Sequence, residues 1–562
     1  MAGPPGDEDS DEAGVPVTDD PALATLTDSE LALLDSLGRR RQVAAGEYLY
    51  HEGDLAYDFY VVISGEVEIV VRADGEDRML ARHGPGRFLG ELNLLTGLRV
   101  FVSARVTSAG EVLAIPPGGL RDVLATQPGL SDKILAAFMS RRASLLTGAS
   151  FTTRVLGSRF SPESVAIREF LARTRVPHEW LDADVDPHAE SIFETFAITP
   201  GDLPVVIASG TVLRQATPGI VSEYLGLTIG SLPERCFDLV IAGSGPAGLA
   251  AAVYGASEGL RTLCVDMTAP GGQAGASSRI ENYFGFPTGI PGADLTQRGL
   301  IQAEKFGAHL SAPCAAASLR EEAGHLVIAL SDGTLVGARA VIVATGAQYR
   351  RLDVDRLRDF ENRGVFYAAT EDEARLCADR PVVVVGGGNS AGQGAMFLAE
   401  QGNPVTVVIR GPDLSAGMSR YLVDRLERHP RIAIETNTQI VELLGDDDLA
   451  GLRTKGSRGD SDIECAALFS FIGADPQSQW ISGCAALDSR GFVLTDRALD
   501  DAQLGERWDL LGRRPLSFET SHPGLFAVGD VRSGSTKRVA AAVGEGSASV
   551  RSVHEHLAFG AR

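Results

Sequence analysis

The feature that most limits what this chain can fold into is a pattern used twice. An apolar strand runs directly into a glycine-rich turn, and a helix of small residues follows. The first copy is Phe237-Asp238-Leu239-Val240-Ile241-Ala242, then Gly243-Ser244-Gly245-Pro246-Ala247-Gly248, then Leu249-Ala250-Ala251-Ala252. In such a unit the first glycine permits the tight turn, the second lets a pyrophosphate approach the backbone, and the third lets helix pack on strand. The helix N-terminus then faces the anion. A second strand, Thr262-Leu263-Cys264-Val265, ends in Asp266, where a carboxylate can accept from a ribose hydroxyl.

The second copy is Pro381-Val382-Val383-Val384-Val385, then Gly386-Gly387-Gly388-Asn389-Ser390-Ala391, then a helix through Glu400. Its next strand, Val405-Thr406-Val407-Val408-Ile409, ends in Arg410 rather than an acid. A guanidinium there favours a 2′-phosphate, hence NADPH over NADH, and Arg420 stands close enough in sequence to assist. Two dinucleotide sites in one chain imply two dinucleotides, normally a flavin and a nicotinamide. Two more segments support this reading. Ala340-Val341-Ile342-Val343-Ala344-Thr345-Gly346 is a strand entering a glycine turn. Gly524-Leu525-Phe526-Ala527-Val528-Gly529-Asp530 ends in a carboxylate suited to a ribityl hydroxyl. Hydride transfer between stacked rings needs orientation more than an acid–base pair, so no side chain is assigned as catalytic.

The remaining sequence divides by pattern, and 562 residues allow several domains. Residues 1–22 carry seven carboxylates among Gly and Pro and read as a solvated acidic tail. Residues 23–150 alternate in short glycine-punctuated strands and close with a helix near Ser131 to Leu146, which predicts a β-barrel or jelly-roll module. Residues 151–230 read strand, helix, strand, helix, hairpin, helix, a thioredoxin-like α/β layout. The expected fold is therefore multidomain: these two modules and two Rossmann-like lobes.

Region 237–562 resembles the thioredoxin reductase family of two-dinucleotide flavoproteins. The residues that carry the resemblance are the first fingerprint, Gly271-Gly272-Gln273, Glu281-Asn282-Tyr283, Gly388-Asn389-Ser390-Ala391 and Gly529-Asp530. The resemblance implies FAD bound by 236–353 and 476–562, and NADPH bound by an inserted lobe, 354–475. It further implies that Gln273 and Asn282 contact the flavin side, that Arg538-Val539-Ala540 lie near the isoalloxazine ring, and that the protein is a homodimer.

That family keeps a CxxC pair on the inserted lobe. The matching residues here are Tyr367-Ala368-Ala369-Thr370, and the six cysteines of the chain include no CxxC. Neither Tyr, Ala nor Thr can supply a thiolate. The middle region resembles glutaredoxin and thioredoxin domains, whose redox pair opens the first helix; here that place reads Ser161-Pro162-Glu163-Ser164. Ser161 then reads as a helix N-cap with Pro162 at the first helical position. Pro204, which matches the proline before the third strand, is expected to be cis.

The N-terminal region resembles cyclic-nucleotide-binding domains through Gly53-Asp54, Ser64-Gly65-Glu66-Val67 and Gly90-Glu91-Leu92-Asn93-Leu94-Leu95. The resemblance implies that Glu91 takes a ribose hydroxyl and that the amides after Gly90 face the cyclic phosphate. Aligning on Ala104-Arg105-Val106 puts Val102 where the phosphate arginine belongs, and Arg99 is the nearest substitute. A cyclic nucleotide and an empty packing module both remain open for this region.

The net charge of −23 argues against non-specific attraction to nucleic acid or anionic membrane. No apolar run is long enough for a spanning helix and no secretory leader is visible, so a cytoplasmic location is expected. No metal site is expected. The function expected is FAD-dependent NADPH oxidation with electrons passed to an unidentified acceptor other than an internal CxxC. Alternatives are a thioredoxin-disulfide reductase, a ferredoxin or flavodoxin–NADP reductase, and a nucleotide- and redox-responsive sensor without turnover.

Overall fold

The structure is a computed structural model and describes residues 20–73, 76–147, 153–228, 235–277, 279–280, 282–322, 324–361, 364–367, 369, 371–446, 448–457 and 459–559. The acidic tail up to residue 19, Glu281, Ala368 and Thr370 lie outside the described residues. By internal contacts the chain forms two units: 1–94 with 100–149, and 95–99 with 150–562.

In the first unit, Phe59–Ala73 and Ser103–Ile115 are the long central strands of an antiparallel sheet, flanked by Arg39–Val43 and Glu76–His83. Phe59, Tyr60, Val61 and Val62 are all buried, as are Val67, Val70 and Val71, and Phe59 meets Phe88 at 5.5 Å between ring centroids and Phe138 at 6.3 Å. Phe138 comes from the closing helix, Pro128–Thr147, which is a little longer than the sequence pattern indicates.

In the second unit, Thr153–Gly157 pairs parallel with Glu179–Asp182 and antiparallel with Val205–Ala208, and Thr211–Leu213 completes the hairpin. The helix Pro162–Arg173 starts as the sequence predicts: the Ser161 Oγ accepts from the Ser164 N–H at 3.2 Å and Pro162 occupies the first position. The Leu203–Pro204 peptide is cis.

Cys236–Ala242 is the centre of the next sheet, parallel to Thr262–Val265 on one side and Leu335–Val343 on the other. Leu525–Ala527 joins this sheet beside Leu335–Val343, so the last part of the chain returns to the first strand–glycine–helix unit. Val382–Val385 is the centre of a second parallel sheet with Val405–Val408, Ile432–Glu435, Ala467–Ser470 and Val365–Phe366. The four valines are buried, as a strand covered on both faces requires. A two-stranded ribbon, Ala347–Tyr349 with Ala474–Pro476, carries the chain between these two sheets. Sequence pattern did not reveal the three-stranded antiparallel sheet 438–464 or the helix Glu506–Leu511.

Candidate functional site

The first fingerprint turn is built from close approaches that exclude side chains. Gly243 has φ +106°, and a Cβ there would stand 2.3 Å from the Ala344 carbonyl oxygen, in the turn that leads to Thr345. A Cβ on Gly248 would stand 1.8 Å from the Gly243 oxygen, so only glycine lets the helix Pro246–Ser257 start this near the strand. Gly245, at the N-cap, has only the Gly272 Cα within 4 Å of its Cβ position, at 3.8 Å. A Cβ on Gly529 would meet the Ala247 Cβ at 3.0 Å. Thr345, Gly272 and Gly529 therefore converge on one turn.

Around that turn, Gln273 donates its side-chain amide to the Ala347 oxygen just after Gly346, and the Thr345 hydroxyl donates to the Gln477 oxygen at 2.6 Å. Val539 packs against Ala274, Ile280 and Ile290 in a small apolar cluster that includes Tyr283. Asn282, Arg538 and Ala540 are exposed beside it. Glu545 accepts from the Gly529 N–H at 2.7 Å and pairs with Arg532 at 2.7 Å, fixing the 529–532 turn; nothing in the sequence pattern signals this brace. The half-buried Asp530 makes no hydrogen bond among the described residues. Desolvation raises its pKa above the usual carboxylate value, Lys537 opposes that shift and Glu545 adds to it. A carboxylate partly removed from water and lacking a partner suits a hydroxyl donor from a ligand.

Asp266 stands at the expected strand end, but its carboxylate is already engaged. It accepts from the Ser244 N–H at 2.7 Å and hydroxyl at 2.8 Å, and from the amides of Thr268 and Ala269 at 3.0 and 3.2 Å. Four donors fill its acceptor positions. Asp266 braces the fingerprint turn instead of standing free for a ribose.

The second fingerprint follows the same logic. A Cβ on Gly386 would lie 2.3 Å from the Phe471 oxygen, whereas Gly388, the N-cap of the helix Asn389–Glu400, faces open space. Ala391 is buried at the position of helix–strand contact. The Asn389 side-chain oxygen accepts from the Ser419 N–H at 2.7 Å, which folds the loop after the strand Val405–Val408 back onto the turn that holds Ser390. Arg410 and Arg420 flank that loop, both exposed. Arg420 pairs with Asp424 at 3.0 Å; Arg410 makes no ion pair among the described residues.

Residues 237–546 match the family described as pyridine nucleotide-disulphide oxidoreductase. This chain belongs to that family. Thioredoxin reductase of Mycoplasmopsis pulmonis is 30% identical over 316 residues, which are 56% of this chain and 95% of its own. An Arabidopsis thaliana protein described as NADPH-dependent thioredoxin reductase 3 is 32% identical over 364 residues, 61% of this chain and 65% of that relative's length. Among solved structures, the thioredoxin reductase of Lactococcus lactis in its FR conformation superposes with a TM-score of 0.51 at 26% identity, covering 57% of this chain and 99% of that one. The thioredoxin reductase of T. acidophilum gives 0.51 at 28% identity with the same coverage. Residues 40–127 match the family described as cyclic nucleotide-binding domain. The chain is thus a thioredoxin reductase-like flavoprotein, with FAD and NADPH as cofactors, joined to an N-terminal cyclic-nucleotide-binding domain.

The chain contains no CxxC pair. Tyr367 donates its hydroxyl to Glu361 at 2.7 Å, and Arg351 pairs with the same carboxylate at 3.1 Å. Burial first, then the bond to Glu361, raises the phenol pKa, so Tyr367 stays neutral. All six cysteines are free thiols. Burial pushes Cys314 and Cys377 up to about 11 and Cys465 up to about 12, which leaves them protonated near neutral pH.

In the N-terminal domain the structure corrects the ribose and phosphate assignments. Glu91 is buried and forms a two-pronged pair with Arg142 of the closing helix; Nη2 lies 2.6 Å from Oε2, and also 2.6 Å from the Asn93 side-chain oxygen. Gly90, with φ +142°, turns its carbonyl to Arg141 at 2.8 Å. Val102, at the aligned arginine position, is buried. Arg99 belongs to the second unit, where its N–H donates to the Leu225 oxygen at 3.1 Å and its guanidinium bonds the Tyr224 oxygen. The residues assigned from sequence do not fit a cyclic nucleotide: the Glu91 carboxylate already has its cation, and neither buried Val102 nor Arg99 offers a phosphate a fork of donors.

Proposed function

We propose that this protein oxidises NADPH through FAD and passes the electrons to an acceptor other than an internal disulfide. FAD when bound supplies a ring that takes up a hydride and gives its electrons onward. The chain's own residues bind and orient. The turn 243–248, Gly272, Gln273, Thr345, Gly346, Gly529 and Asp530 hold the flavin dinucleotide, with Asn282 and residues 538–540 at its ring end. Gly386, Gly388 and the residues 389–391 hold the nicotinamide dinucleotide, with Arg410 and Arg420 on its 2′-phosphate. We assign 236–353 with 476–562 to the flavin and 354–475 to NADPH, 151–230 to a thioredoxin-like module without its cysteine pair, and the assembly to a homodimer.

The observation that supports this reading is that the six cysteines include no CxxC pair and all stand as free thiols. Anaerobic titration with NADPH should bleach the flavin, and a dithionite titration should take up two electrons per chain, with no further pair for a disulfide. Rapid NADPH-driven reduction of thioredoxin, or an uptake of four electrons, would overturn it.

A further inference from the structure

The module 153–225 keeps a fold whose thiols are gone, and its contacts with the flavin side give it another role. Arg173, the last residue of the helix Pro162–Arg173, is largely buried and reaches the loop 270–272. Its Nη2 donates to the Gly272 oxygen at 2.6 Å and its Nε to the Pro270 oxygen at 3.3 Å, while Nη1 is held by Glu169 at 3.0 Å. The planar guanidinium suits two carbonyls presented together, a geometry lysine cannot reproduce.

Both peptides gripped in this way are trans, so each N–H points opposite to its carbonyl. With the Pro270 oxygen on Arg173, the Gly271 N–H turns to the other side of the loop and donates to the Ser244 oxygen of the fingerprint turn at 2.9 Å. With the Gly272 oxygen on Arg173, the Gln273 N–H is turned the same way. The clamp thus has Arg173 on one side of the loop and the Ser244–Gly245 turn on the other. Two further contacts, Arg175 with Asp294 and the Ser222 hydroxyl with the Ala312 oxygen, fasten the module to the same lobe without touching the loop.

We propose that Arg173 is a positioning residue for the flavin: it holds the carbonyls of Pro270 and Gly272 so that the Gly271 N–H is locked onto the Ser244 oxygen and the Gln273 N–H side of the loop is presented to the dinucleotide. The inference rests on the assignment of the 271–273 loop to FAD. It gives the cysteine-free module a reason to be docked where it is, as an external clamp on the cofactor loop.

The test is the FAD dissociation constant of full-length apoprotein reconstituted with FAD, followed by flavin fluorescence, with thermal unfolding of each apoprotein recorded alongside. Arg173→Ala should weaken FAD about tenfold or more, from the loss of charged hydrogen bonds. Arg173→Lys should recover part of this, and Arg175→Ala, which removes a docking contact away from the loop, should leave FAD affinity at the parent value. Equal FAD affinity in parent and Arg173→Ala would overturn the clamp. So would an equal loss in Arg175→Ala, which would reduce the effect to docking. A parent apoprotein that takes up no FAD would instead overturn the flavin assignment.

Discussion

Gly272 and Gly245 touch backbone to backbone: a Cβ on Gly272 would stand 2.8 Å from the Gly245 Cα. The loop after the second strand of the flavin-side sheet is therefore pressed against the turn that opens its first helix. Gly272 also has φ +54°, a conformation that side chains other than glycine rarely take.

Gly272→Ala should separate the two segments. Overpacking at a tight contact costs about 1–3 kcal/mol, and here the strain falls on the cofactor cradle. The expected result is a folded protein that loses FAD on dilution, with affinity reduced about tenfold or more. A variant retaining full visible flavin absorbance after desalting would contradict the cradle as drawn.

Arg410 should decide between the two nicotinamide dinucleotides. Its guanidinium is exposed and has no acidic partner among the described residues, unlike Arg420, which shares its charge with Asp424. Removing a charged hydrogen bond costs about 1.5–3 kcal/mol. Arg410→Ala should therefore raise KM for NADPH about tenfold or more and leave KM for NADH unchanged, in steady-state assays with an artificial electron acceptor. A parallel rise for both nucleotides would remove Arg410 from the 2′-phosphate.

Local geometry made much of this site legible. Gly248 is demanded by contact with the Gly243 oxygen five positions away, so spacing finds it. Ser161 and Pro162 announce a helix start because a cap acts within one turn. Arg142 and Arg173 gave no such signal. The first closes on Glu91 across 51 positions and the second on Gly272 across 99, and contacts of that span leave no periodicity to read. Asp266 was misread for a related reason: the strand end was right, but four donors on its carboxylate come from the folded turn.

The Glu91–Arg142 pair predicts that the N-terminal domain takes up no cyclic nucleotide. Calorimetric titration of the full chain with cAMP and with cGMP should show no heat of binding at micromolar concentrations. Arg142→Ala would leave a buried carboxylate unpaired and should destabilise the domain by about 3–5 kcal/mol. The double variant Glu91→Gln with Arg142→Met should recover most of that loss, since it removes both charges together. Stoichiometric micromolar binding of either nucleotide by the parent would refute the reading.

His83 makes the same domain sensitive to acid. It is buried, and its Nδ1 has no hydrogen-bond partner among the described residues. Burial, with Arg141 and Arg87 adding positive charge, lowers its pKa from 6.5 to about 3. The unfolded chain takes up a proton near the ordinary value while the folded domain does not. The stability contribution is therefore complete above about pH 6.5 and is lost as pH falls toward 3. At about pH 5 the loss amounts to about 2 kcal/mol, at about 1.4 kcal/mol per unit. Hydrogen exchange of peptides from the strand Phe59–Ala73 should speed up accordingly between about pH 7 and pH 5, after correction for the intrinsic rate. His83→Gln should flatten that dependence. If parent and variant lose protection in parallel, the acid sensitivity lies elsewhere in the domain.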